Sequence, residues 1–133
     1  MQDQPTPGEI VKAVAEFLRS TAIQEAKPHI EYQARVAANV LDLVSRELDL
    51  GPKENALEIE RLRAILGRDG SLEDLNAAFA DALERGALLV SSPAVMDHLW
   101  ATTLAKLSID QPSYSGYRAA LAMRGGPTHS EDT

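Results

Sequence analysis

The 133-residue sequence contains no cysteine. That excludes disulfides, thiolate zinc sites, iron–sulfur clusters and thiol nucleophiles together, and leaves no mark of an oxidising compartment. No apolar run reaches membrane-spanning length. The start, Met1-Gln2-Asp3-Gln4-Pro5, has neither the basic nor the apolar stretch of an export signal. A cytoplasmic protein without membrane contact is therefore expected. Positive charge is in deficit, with 13 Lys and Arg against 20 Asp and Glu and a formal net charge of −7. Such a field repels phosphate backbones and anionic lipid surfaces, so nucleic acid is not an expected partner.

Internal repeats and low-complexity tracts are missing as well, and nothing argues for two domains. A chain of this length can hide roughly two-thirds of its unfolded surface in one core. The expectation is a single all-α domain over residues 6–124, a compact bundle of about five helices with a C-terminal loop. Residues 1–5 and 125–133 read as flexible tails, the latter disordered.

What is present is helical punctuation. Thr6-Pro7-Gly8-Glu9 is a capping box with proline at the first helical position. Ile10, Val14, Phe17, Leu18 and Thr21 then share one face, expected to be buried. Ile23 falls off that face, which implies that the helix ends or shifts register between about Ser20 and Ala26. A second helix runs from Pro28 to Leu48 and should stop at Gly51-Pro52. Its apolar arc of Ile30, Val36, Ala37, Val40, Leu41, Leu43, Val44 and Leu48 is wide enough for several neighbours. A third spans about Lys53 to Leu66. A fourth, capped by Ser71 and ended by Gly86, turns Leu72, Leu75, Phe79, Ala82 and Leu83 inward. Ala87 to Val90 reads as a connector. A fifth begins at Ser92-Pro93 and should bury Val95, Met96, Leu99, Trp100, Thr103, Leu104 and Leu107. After Pro112, residues 113–117 read as a loop, and Arg118 to Arg124 as one or two further turns.

Motifs that carry chemistry are wanting. No Gly-x-Ser-x-Gly, phosphate-cradling glycine loop, His-Glu-x-x-His or Glu-x-x-His pair occurs. His29, His98 and His129 are scattered. His98 falls opposite the expected apolar face of its helix and should be solvated. No catalytic residue, no metal ligand and no cofactor is therefore assigned. What remains is polar groups inside apolar arcs: Gln33 and Glu47 on the second helix, Lys106 and Asp110 at i,i+4 on the fifth. An unpaired group there costs about 1 to 3 kcal/mol, so Lys106 and Asp110 should be at least partly buried and should pair with each other, with the second helix or with the Ser113 to Tyr117 loop. Trp100 should pack in the core, and Tyr114 and Tyr117 should fold back over an apolar edge.

Three stretches together carry a resemblance: Ala34-Arg35-Val36-Ala37-Ala38-Asn39-Val40-Leu41, Arg46-Glu47-Leu48-Asp49-Leu50-Gly51-Pro52, and Leu104 to Pro112 with Tyr114-Ser115-Gly116-Tyr117. In these, in order from the capped first helix to Tyr117, the chain resembles a family of short bacterial proteins of unknown function. Genes of that family often stand beside those for aminoglycoside-phosphotransferase-like kinases and acyl-CoA dehydrogenases. The resemblance implies a helper role in acyl or hydroxy-acid breakdown and brings no catalytic residue with it. Its stretches hold Glu47, Lys106 and Asp110 of the polar groups above, together with Arg35 and Asn39 from the polar face of the second helix. A candidate cluster of Gln33, Arg35, Asn39, Glu47, Lys106, Asp110, Tyr114 and Tyr117 between the second and fifth helices follows.

The preferred reading is a non-catalytic accessory protein that docks on a phosphotransferase-like or acyl-CoA-dehydrogenase-like enzyme. The alternative is a small-molecule binder or minor enzyme with its cleft at that cluster. A homodimer whose apolar faces exceed one bundle's core is a third option.

Overall fold

The computed structural model describes residues 5–124, so the tails expected at 1–5 and 125–133 lie outside it except for Pro5. Among the described residues the protein is all-helical, with no strand. The elements are α1 (Pro7–Phe17), a π-helical turn (Leu18–Ala22), α2 (Ile23–Glu25), α3 (Pro28–Leu66), α4 (Leu72–Glu84), α5 (Pro93–Asp110) and α6 (Ser115–Arg124). Because α1, the π turn and α2 run on without a break, these make five rods.

The first rod starts where its capping box places it. The Glu9 N–H donates to Thr6 Oγ1 at 3.3 Å and the Thr6 N–H to Glu9 Oε2 at 2.7 Å. That second bond holds the Glu9 carboxyl below its ordinary value. The register shift expected near Ser20 is the π turn. One extra residue in a turn delays the helix by about 100° and brings Ile23, otherwise misplaced, onto the buried side. The buried face itself differs from the expected one. Gly8 and Ala15 face α3, while Ile10, Val14 and Phe17 remain exposed. The contact is close enough that a Cβ on Gly8 would sit 2.6 Å from Asp49 Oδ1. On α3 it meets Ala38 and Ser45, whose Oγ donates to the Gly8 carbonyl at 3.3 Å. Small residues on both sides let two backbones approach; the larger ones are turned aside.

The second and third expected helices are one. α3 continues through Gly51 and Pro52 for 39 residues, roughly 58 Å. Proline deletes the N–H that would meet the Leu48 carbonyl and costs about 3 kcal/mol in a helix interior. Packing on both sides of the break outweighs it. Gly51 is buried beneath the Glu47 side chain, with Ala105 and Ile109 of α5 beside the same cleft. α3 ends at Gly67, whose φ of 64° is the left-handed cap that glycine provides.

Around the second half of α3 lies the core: Leu62, Leu75, Phe79 and Val95, with Ile59, Ile65, Leu66, Leu72, Leu83, Leu88 and Leu99 packed against it. α4 is as expected, capped by Ser71 Oγ, which accepts from the Asp74 N–H at 3.1 Å, and ended by Gly86 at φ 72°. α5 is rotated from its expected setting. It buries Val95, His98, Leu104 and Ile109 and exposes Met96 and Trp100. The helix is apolar nearly all round, so amphipathicity gave no true bearing; the heptad-spaced line 95-98-102-105-109 is what faces α3. Ser92 holds the N-cap position without a side-chain bond. The loop expected after Pro112 is shorter too, since α6 already begins at Ser115.

Candidate functional site

Where α5 ends against the middle of α3, an open groove of about 640 Å³ forms. Its polar lining is Asn39, Asp42 and Arg46 from α3 and Asp110, Gln111, Ser113 and Tyr114 from the end of α5 and the turn beyond it. Two arginines build it. Arg46 Nε donates to the Ile109 carbonyl at 2.6 Å, placing a cation on an unfilled acceptor at the negative end of the α5 dipole. Arg19 of the π turn donates to Asn39 Oδ1 at 3.0 Å and Asp42 Oδ2 at 2.5 Å, and the bond to Asp42 raises the pKa of the Arg19 guanidinium. The Tyr114 N–H closes a turn onto the Gln111 carbonyl at 3.0 Å, and its ring lies over Gly116, where a Cβ would come within 2.6 Å. The loop tyrosine thus folds back on its own chain, while Tyr117 is half-buried on α6.

The groove gathers Asn39, Asp110 and Tyr114 of the expected cluster and no more. Glu47 and Lys106 line a separate cleft of about 140 Å³ around Gly51. Arg35 binds Glu31 one turn back at 2.7 Å and borders another cleft, with Arg19 and Gln24. Gln33 is exposed and lines neither the groove nor these clefts. Lys106 and Asp110 are both exposed, and they form no ion pair with each other among the described residues, contrary to the burial and pairing expected of them. The rotation of α5 explains this, since it carries that edge outward.

The same rotation buries a polar group that pattern reading placed in solvent. His98 is 2% exposed, its ring edge-on to Phe79 with centroids 4.8 Å apart, and its Nδ1 has no partner. Beside it are Arg61, whose Nε is also unpartnered and whose guanidinium reaches Thr102 Oγ1 at 3.5 Å, and Glu58, which accepts from Asn76 Nδ2 at 2.9 Å. Burial, and then the positive charge of Arg61, hold the imidazole below its ordinary 6.5 against the opposing pull of Glu58. The signal in the sequence was the i,i+3 pair Glu58 and Arg61 flanking Ile59 and Leu62, and the i,i+4 pair His98 and Thr102.

Among the described residues, no hydrogen bond in either place joins a hydroxyl or amine to a base that would activate it. Among the described residues no three His, Cys, Asp or Glu side chains converge as metal ligands would. What the groove offers is hydrogen-bonding groups and a carboxylate, Asp110, on an open wall. What α5 offers is a bare apolar strip.

The architecture defines an all-α protein strung along one long helix, and no helix among its described residues is long and apolar enough to cross a membrane. The chain belongs to the family described as a domain of unknown function (DUF6285), which matches residues 24–114. The match takes in α3, α4, α5 and the turn at Tyr114 and leaves α1 outside. No curated protein and no solved structure matches the chain.

Proposed function

We propose that the protein is a non-catalytic interaction module that docks on an enzyme of the phosphotransferase-like or acyl-CoA-dehydrogenase-like kind. The observation that carries this is the strip on α5 formed by Met96, Leu99, Trp100 and Thr103, where a tryptophan is 48% exposed beside a 40% exposed methionine. Tryptophan is the residue type most often found at the energetic centre of protein interfaces. The enzyme classes come from the resemblance described above, and the net charge of −7 favours a partner with a basic rim.

The test is to titrate each candidate enzyme, purified, into the purified protein and into Trp100→Ala. A complex that weakens by roughly thirtyfold in the variant, the size of an interface hot spot, is expected. Absence of a complex with both enzyme classes would sink the proposal. A second use, binding of a small polar molecule, is favoured only by the groove that joins Asn39, Asp110 and Tyr114. Its volume suits such a ligand, whereas Arg35 and Lys106, which a bound anion would want, lie elsewhere.

A further inference from the structure

The α1–α3 hairpin is packed through residues too small to form a core. Buried along its seam are Gly8, Ala15, Ala38 and Ser45, with Ile23 as the one large side chain. Several large apolar residues of both helices stand outside the seam instead; Val36 and Val40 of α3 line the groove described above, and the rest gather on the opposite flank. Arg19 and Asp42 pair along one edge of the seam. In an antiparallel pair, helical spacing then sets Ile10, Val14 and Phe17 of α1 together with Val44 and Leu48 of α3 along the other edge. Their exposures run from 38% at Val44 to 57% at Phe17.

We infer that this face is covered by a second copy of the chain, two hairpins meeting to make a four-helix bundle. Three observations select that occupant. First, a quarter of the chain is charged and its net charge is −7, yet these two stripes carry no charge at all. Copies of an acidic protein can meet there without setting like charges face to face. Second, the area fits. With Ile30 the stripes leave open on the order of 500 Å² of apolar surface, at the top of what a monomer tolerates. The alanines, Thr21 and the rim bring this towards the roughly 800 Å² that each partner gives a stable dimer. Third, residues 1–4 and 125–133 contain no Val, Ile, Leu, Phe, Tyr or Trp, so these two segments offer no apolar stripe to lay on the face. An antiparallel hairpin with one apolar side is self-complementary under a two-fold axis, the commonest symmetry of soluble assemblies.

This face is distinct from the α5 strip, so either proposal can fail while the other stands. Light scattering on the full chain across a concentration series should give twice 14.4 kDa. Phe17→Glu should reduce it to 14.4 kDa, while Trp100→Glu leaves the dimer intact. Because the chain has no cysteine, single introduced thiols report the geometry even if Phe17→Glu unfolds the hairpin. Val14→Cys and Val44→Cys should form disulfide-linked dimers on mild oxidation, and Lys12→Cys and Glu16→Cys, on the charged side, should not. A mass of 14.4 kDa at every concentration overturns the inference. So does a dimer broken by Trp100→Glu but not by Phe17→Glu, or equal cross-linking from both sides of the hairpin.

Discussion

The two halves of α3 belong to one uninterrupted helix and live in different surroundings. Its second half has two neighbours, α4 and α5, and together they enclose leucine, phenylalanine and valine. Its first half has chiefly α1 along its length, and that single contact encloses glycine, alanine and serine. One neighbour can shelter only a narrow line of a helix surface, and the closest approach selects the smallest side chains for that line. Two neighbours make a trough deep enough for large ones. Helix amphipathicity therefore means different things at the two ends: at one it points into the protein, at the other it points out of it.

The sharpest test of this contrast is Leu62→Ala, which removes a side chain with no exposure from the two-neighbour half. It should destabilise the protein by about 2 to 5 kcal/mol in urea denaturation. Val14→Ala in the one-neighbour half should shift the midpoint only through a concentration-dependent term. Comparable losses at high dilution would erase the distinction. A smaller effect is expected from overfilling the tight seam. Ala15→Leu should cost about 1 to 3 kcal/mol. Hydrogen exchange should then speed up in α1 and the first half of α3 while α4 and α5 keep their protection. Uniform loss of protection would mean that the halves unfold as one.

The smallest effect is a slope. His98, in the two-neighbour half, has its pKa lowered in the folded state. The unfolded chain takes up a proton at about 6.5 that the folded chain resists, so the stability held by neutral His98 is complete above that pH. It is lost as pH falls from 6.5 towards the lower folded value. His98→Phe, which keeps an aromatic ring against Phe79, should flatten the stability profile in that window. An unchanged slope between neutral pH and about pH 5, above the ordinary carboxylate range, would assign the dependence to another group.

What could be read from the sequence follows the same division. α4 was legible throughout, because Glu73, Asp81 and Glu84 oppose Leu72, Leu75 and Phe79 and leave one way to face. The capping box and the left-handed Gly86 that ends α4 were legible because their chemistry is local. Pro52 misled because a local cost was overridden by packing spread over the whole of α3. α5 misled because a helix apolar on nearly every side carries no bearing, and with that rotation went His98, Trp100, Lys106 and Asp110. Of the candidate cluster, spacing alone could not tell which polar groups would meet. Asn39, Asp110 and Tyr114 come together because Arg46 clamps the end of α5 at that level, a contact 63 residues apart in sequence.

A helix of 39 residues is also a ruler. The open face of the hairpin lies along its first half, and the α5 strip lies beside its second, so whatever is held on one half stands at a set distance from whatever is held on the other. Linked through their hairpins, two copies would present two tryptophan strips at one fixed spacing. A partner that is itself two-fold would then be gripped at both points or at one, with the second contact made at high effective concentration when the spacings agree.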